Sequence, residues 1–369
     1  MSPADLDTRG RMDGVTPPWL TALRLTLALA PLAPIELTDF AGTVLRGGFG
    51  VAFKRISCPL RRQPCETCLL APSCVYQQVF DTPVPAGAPL LPPGGKAPHP
   101  YIIDPPAGAS RFHPGEEMAV GLTLIGRAAS QLPYFLYAFR RLGEMGLGRG
   151  RGQFRLAAAT LHPPGEPPRL LYRDDDPGLA HPVTPFPLPA LTATPPAVDH
   201  AGAPPLTLTF ATPLRLKEEG HFGARPTFPL LIKHLLRRAA LLAACHGAGP
   251  PAWDHRAWIA AAGAVETRAE QLQWRDLARY STRQHAAMRL GGWTGTVRYH
   301  GPWTPFRPLL AAAELLHVGQ AITFGLGRVV CSPRDQTNIV GDTVLGASSS
   351  DAPPLPVDAG PTPSGKSLP

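Results

Sequence analysis

Leu23, Leu25, Leu27 and Leu29 alternate with smaller or polar residues, the two-residue period of a strand with one buried face. A helix is predicted next, capped by Thr38 or Asp39 and running to about Lys54, although Gly42, Gly47, Gly48 and Gly50 lower its intrinsic helicity. Met118, Val120, Leu122 and Leu124 alternate again, and Pro133 to Leu142 predicts an aromatic-rich helix. A glycine-rich stretch, Gly143 to Gly152, then leads to a strand from Phe154. The second half repeats the order. Leu206, Leu208 and Phe210 mark a strand, Phe228 to Ala244 a helix bearing Arg237 and Arg238, and Tyr280 to Tyr299 a hairpin. Pro305 to Leu316 is a helix with apolar Leu309, Leu310, Ala313 and Leu316, and a second glycine loop precedes a short strand, Arg328 to Cys331.

Each half therefore reads strand, helix, two strands, helix, strand, which is the order of the ferredoxin-like βαββαβ unit, a common RNA platform. The predicted fold class is α+β: two tandem ferredoxin-like (RRM-like) domains, residues 19–161 and 205–332, with a cysteine-containing insertion at about 56–105 in the first. Residues 162–204 are thick with proline, which neither continues a helix nor suits a sheet interior, so an extended linker is expected. Residues 333–369, rich in Pro, Ser, Gly and Asp, are expected to form a disordered tail.

Composition narrows this picture. With 369 residues and 44% hydrophobic content the chain can bury two cores of ordinary size. The net charge of +8 is carried mostly by Arg, which suits a polyanionic partner through bidentate phosphate contact, although codon bias alone would also enrich Arg. Met1 to Pro18 holds no apolar run, so neither a leader nor a membrane anchor is read there, and a cytoplasmic location is expected. In a reducing compartment Cys58, Cys65, Cys68 and Cys74 are poor disulfide candidates. Their spacing, with a central pair two residues apart, predicts structural zinc, with an iron–sulfur cluster or free thiols as alternatives. Four thiolates would close the site, so no catalytic role is expected of it. Cys245 and Cys331 lie among apolar residues and read as core.

Both glycine stretches run from helix to strand, the reverse of the dinucleotide fingerprint, and no phosphate-binding Gly-Lys-Ser/Thr loop is present. Gly319, Gly325 and Gly327, flanked by His317 and Arg328, either let backbone amides approach a phosphate or serve a tight turn. Arg149, Arg151 and Arg155 surround the first glycine stretch, with Arg140 and Arg141 on the helix before it; Arg46, Lys54 and Arg55 extend this basic stripe. A solvated charged turn is the alternative explanation of the stripe.

Three blocks in order carry a resemblance: Tyr280-Ser-Thr-Arg-Gln284, Gly291-Gly-Trp-Thr-Gly295, and Leu316-His-Val-Gly-Gln-Ala-Ile-Thr-Phe-Gly-Leu-Gly-Arg328. With Leu45-Arg-Gly-Gly-Phe-Gly50 and the cysteines followed by Tyr76 and Phe80, they resemble the CRISPR-associated pre-crRNA-processing endoribonucleases of the RAMP superfamily across most of Leu23 to Cys331. The resemblance implies cleavage of CRISPR repeat RNA without a catalytic cofactor. The ribose 2′-OH attacks the adjacent phosphate, leaving a cyclic phosphate and a 5′-OH. Repeat RNA or its crRNA product is the implied partner, together with other CRISPR-associated effector subunits. Such a reaction needs a base, an acid and positive charge at the phosphate. His317 is the first candidate for acid or base and His285 the second, with Tyr280 and Arg283 contacting the phosphate or 2′-OH; a helix-capping role for His317 is the alternative. His221, in Gly220-His-Phe-Gly223, could reach RNA from a loop. The chain departs from the family in two places: Leu45 to Arg55 holds no histidine, and Gln320 stands where a lysine is expected. A crRNA-binding subunit without catalysis and a zinc-stabilised protein scaffold are the competing functions.

Overall fold

The computed structural model describes residues 18–332 apart from 39, 61–62, 86–94, 109, 177, 181, 198–202 and 282–285. The first half holds β1 (Thr21–Pro31), α1 (Ala41–Ser57), α2 (Val75–Phe80), β2 (Tyr101–Asp104), β3 (Met118–Ile125), α3 (Leu132–Met145) and β4 (Phe154–Leu161). The alternating leucines of β1 each lie at most 1% exposed, so one face of the strand is fully buried and its register is strongly specified. They meet α1 and α3, whose Phe49 stacks on Phe135 and Phe139 with ring centroids 5.4 and 5.1 Å apart. Each such buried side chain contributes about 1.5–3 kcal/mol of transfer free energy.

The sheet is antiparallel, in the order β2–β3–β1–β4, and β5 (Arg169–Arg173) extends it beyond β4. That last strand corrects the linker expectation. Arg169–Arg173 is a proline-free island whose backbone can pair at a sheet edge, and Phe186–Pro187 returns to pair with Thr21 and Ala22. Leu171 and Tyr172 are buried in the core of the first half and Leu188 in that of the second, so this stretch is packed against both.

The second half holds β6 (Leu206–Leu214), α4 (Phe228–His246), α5 (His255–Ala262), β7 (Glu266–Arg275), the hairpin strands β8 (Ala278–Ser281) and β9 (Ala286–Arg289), β10 (Gly292–His300), α6 (Arg307–Leu316) and β11 (Val329–Ser332). Its antiparallel sheet runs β7–β10–β6–β11. In both halves, then, the first strand lies between the third and fourth, and the second is displaced to the side. The expected hairpin at Tyr280 to Tyr299 is only the far end of a longer one that starts at Glu266 and pairs with Gly292–His300. No residue of β7 is buried, so it carries no apolar alternation to be read. Helix α5 was also not foreseen; Asp254 caps it by accepting from the Ala257 N–H at 2.9 Å.

Two further expectations change. Thr38 does not cap α1: its hydroxyl donates to the Phe40 carbonyl, while Phe40 takes the cap position without a side-chain bond; Asp39 lies outside the described residues. The helix continues three residues past Lys54. Two of its glycines have steric reasons, since a Cβ on Gly42 would lie 1.9 Å from the Phe324 carbonyl oxygen and one on Gly48 would lie 2.7 Å from Leu142, whereas Gly47 faces open space.

The halves meet backbone to backbone. A Cβ on Gly126 would meet the His246 carbonyl at 2.0 Å, one on Gly247 the Trp19 carbonyl at 2.4 Å, and one on Gly325 the Ile103 carbonyl at 2.8 Å. The core of the second half also takes in Leu20, Ala22, Ile102 and Ile125 from the first. No helix among the described residues is long and apolar enough to cross a membrane.

Candidate nucleic-acid interface

The second glycine loop is packed into the protein. His317 ends α6 with φ +56°, and its N–H donates to the Ala313 carbonyl at 2.8 Å. Only 1% of it is exposed. The Nδ1–H donates to the Leu326 carbonyl at 3.1 Å, and Nε2 lies 3.4 Å from Asp104 Oδ1 on β2 of the first half. Burial pushes the imidazole down to about 4, against the opposing pull of Asp104 and the Leu326 carbonyl. At neutral pH it is an uncharged strut between the loop and β2, with no face open to a substrate. The sequence expectation of an accessible acid or base at His317 does not survive this burial.

The loop glycines follow suit. A Cβ on Gly319 would meet the Arg215 carbonyl at 2.6 Å, and one on Gly327 the Val318 carbonyl at 1.8 Å, both at positive φ. Tight packing accounts for them, where an open approach for phosphate was one of the two readings. The Gln320 N–H donates to the Arg215 carbonyl at 3.0 Å, while the Arg328 N–H donates to Thr212 Oγ1 at 2.9 Å. Half-buried Arg328 therefore flanks the loop from its own strand.

Arg215 leads outward from this loop to a surface that the sequence reading missed, His221 excepted. Its guanidinium sits 4.0 Å from the ring centroid of Phe222, and Lys217 Nζ is 5.6 Å from the same ring. Phe222 is 48% exposed, on a two-residue ladder in which Lys217–Glu218 pairs with exposed His221–Phe222. Next to it the Arg225 guanidinium lies 5.3 Å from the Trp293 ring and also pairs with Glu270. Trp293 donates from Nε1 to the Gly223 carbonyl at 3.0 Å and meets Trp274 edge-on at 5.1 Å; Trp274 is 37% exposed. Cations interleaved with exposed rings can neutralise phosphates and stack bases. The signal was present in the sequence as Arg215, Lys217, His221, Phe222 and Arg225, alternating polar and apolar past the end of β6.

Tyr280 lies on β8, paired with Ala287, beyond the Trp274–Trp293 pair that lies near the outer end of the β7–β10 ladder. Arg283 and His285 lie outside the described residues.

The basic stripe of the first half is more dispersed than expected. Arg149 and Arg151 are exposed at the tip of a tight turn, where Arg151 has φ +53° and Gly150 faces open space. Arg155 pairs with Asp174 at 3.2 Å and Arg141 with Glu144, so part of their charge is already answered; Arg140 is exposed. Arg46 is half-buried between the two halves, 5.2 Å from the Phe80 ring and 5.7 Å from Phe324, with its Nη2 3.4 Å from His99 Nε2. Lys54 lies 5.4 Å from the Tyr76 ring.

The four clustered cysteines are half-buried thiols at the end of α1, in the following turns and at the start of α2. Burial raises the Cys65 thiol, with Lys54 acting against that and Cys58, Glu66 and Cys74 adding to it. Cys245 and Cys331 are buried.

Residues 208–329 match the family described as CRISPR-associated endoribonuclease Cas6. That match spans about a third of the chain and marks a Cas6-type domain in its second half. The Cas6 match spans the Arg215–Phe222 surface, the long hairpin and the second glycine loop together. Residues 20–184 match a second family, described as an N-terminal domain. Among solved structures, a Cas6 product complex is 16% identical with a TM-score of 0.50, over 84% of this chain and 99% of that one. Thermus thermophilus Cas6 is 14% identical with a TM-score of 0.46, over 86% and 100%. An uncharacterized protein of Archaeoglobus fulgidus is 25% identical over 112 residues, 30% of this chain, and the match spans 37% of that protein's own length. The product complex shows that the Cas6 fold extends through both halves of this chain.

Proposed function

We propose that this protein binds CRISPR repeat RNA along the Arg215–Trp293 surface and cuts it by attack of a ribose 2′-OH on the neighbouring phosphate. The products are a 2′,3′-cyclic phosphate and a 5′-OH. The observation that carries the proposal is the guanidinium of Arg215 over exposed Phe222, on the same residue whose carbonyl seats the glycine loop. Arg215, Lys217 and Arg225 gather charge where the phosphate would become crowded, and Phe222 and Trp274 offer faces to bases. Proton transfer is assigned to His221 on the ladder, with Tyr280, Arg283 and His285 kept as candidates from the sequence. His317 positions the loop and takes no part in proton transfer. Imidazole and guanidinium groups can supply base, acid and charge, so the step is proposed to proceed without a metal ion. Each half is inferred to be a ferredoxin-like unit, supported by the shared strand order; the sheets then form the rigid base for the loop and hairpin.

Full-length protein incubated with end-labelled repeat RNA in EDTA tests this. A single cut leaving a cyclic phosphate is expected. Retained but uncut RNA would refute cleavage and favour a crRNA-binding subunit, the second reading, which draws its support from the burial of His317. RNA that is not retained even at low salt would remove both.

A further inference from the structure

We propose that Cys58, Cys65, Cys68 and Cys74 bind one Zn²⁺, and that this ion pins the start of α2 to the end of α1. The proposal stands apart from the RNA reading and does not depend on it.

Cys58 follows α1 directly, its N–H donating to the Lys54 carbonyl at 3.0 Å. Cys74 precedes α2, and its carbonyl accepts from the Gln78 N–H at 3.0 Å. Cys65 and Cys68 bracket a single turn in which the Cys68 N–H donates to the Cys65 carbonyl at 3.3 Å, the compact arrangement that brings two thiolates to one tetrahedral ion. The end of α1 that leads into Cys58 and the start of α2 that follows Cys74 are neighbours, with Lys54 Nζ 5.4 Å from the Tyr76 ring and the Phe53 and Phe80 centroids 5.4 Å apart.

The packing of the segment gives the second reason. Among its described residues, none from Cys58 to Cys74 is buried; Leu60, Leu69 and Leu70 are 39%, 89% and 41% exposed. Two short turns whose described hydrogen bonds are local have no core to fix them, and a segment of that kind is commonly held by a cross-link or a metal. No three Cys, His, Asp or Glu side chains among the described residues stand close enough to share an ion, so binding must draw the thiols inward. The exposed turns leave room for that movement. Zinc fits better than an iron–sulfur cluster because half-exposed thiolates suit an ion without redox chemistry.

Binding releases four thiol protons, and four thiolates around Zn²⁺ leave two negative charges, which Lys54 partly offsets. The effect reaches the first glycine-rich helix. Tyr76 and Phe80 of α2 stack with centroids 4.8 Å apart, under Lys54 and Arg46 respectively, so fixing Cys74 against Cys58 fixes these cations too.

Full-length protein purified under reducing conditions should contain one zinc per chain. Cobalt exchange should give the visible d–d bands of a tetrahedral thiolate site. The Cys65→Ser/Cys68→Ser variant should lose the metal, and Cys245→Ser should keep it. Because the double variant could misfold, limited trypsin digestion of the wild type gives a second readout. Chelation should speed cleavage between Cys58 and Cys65 by roughly tenfold while the rest of the chain stays resistant. Protein without zinc that gives no cobalt bands, or protein holding iron and sulfide, would overturn the proposal.

Discussion

Between pH 6.5 and about 4.5 the protein should lose stability steeply, because three histidines, His99, His246 and His317, are built into places that keep them neutral, and burial pushes His99 too down to about 4. His246 and His317 are 3% and 1% exposed, and burial pushes each down to about 4. An unfolded histidine titrates near 6.5. Above that pH neither state carries the proton and nothing is lost. As the pH falls through 6.5 the unfolded chain takes up protons that the folded chain refuses, and the loss continues until the folded groups titrate near 4. Each histidine contributes a slope of about 1.4 kcal/mol per pH unit, so the three give about 4 kcal/mol per unit. Over two units that is about 8 kcal/mol, against a total stability of about 5–15 kcal/mol for a folded domain. Urea melts followed by tryptophan fluorescence from pH 7.5 to 4.5 measure the slope. His317→Gln, whose amide can still donate to the Leu326 carbonyl, should remove about a third of it. A wild-type curve flat across this range, or a slope unchanged in His317→Gln, would refute the assignment of a neutral strut.

Phe222→Ala should weaken RNA binding by about 5- to 100-fold, the worth of one stacked base, and leave the urea midpoint unchanged because the ring is half exposed. Replacing Arg149 and Arg151 together by Ala should lower the slope of log affinity against log salt by about 1–2 if their turn touches phosphate, read from binding titrations at several salt concentrations. Gly327→Ala puts a methyl 1.8 Å from the Val318 carbonyl at φ +70°, so a loss above about 2 kcal/mol and a lower Tm are expected in calorimetry. Arg151→Gly relieves a φ of +53° on an exposed turn and should raise stability by up to about 1 kcal/mol in the same measurement.

The strands with one buried face were legible because alternation is the only signal they need. The leucines of β1 and the run from Met118 to Leu124 fell where expected. β7 was not, since an edge strand with no buried residue leaves no period to find. β5 was hidden by the prolines on either side of it, although pairing at an edge needs only a few proline-free residues. The glycine loop was legible as a loop but not as an interior one. What fills the space beside Gly319, Gly325 and Gly327 is backbone from distant parts of the chain, which no local pattern records. His317 failed as a reactive group for the same reason: its exposure depends on β2 of the other half. The Arg215–Phe222 surface could have been found, because cations interleaved with an aromatic between glycines are a local pattern.

The backbone-to-backbone junction bears on how such a protein can diverge. Gly42, Gly126, Gly247 and Gly325 each face main chain from the opposite half, joined at Gly325 by the rigid ring of Pro105, so little freedom is available at these points to absorb a change on the other side. The halves are therefore not interchangeable parts. A chimaera that joins one half to the matching half of a distant relative would meet rigid peptide planes at four places, with no rotamer able to yield, and should fail to assemble even when each half is soundly packed. Drift in either half is held to paths that preserve the seam, whatever happens to the loops and hairpin that face outward.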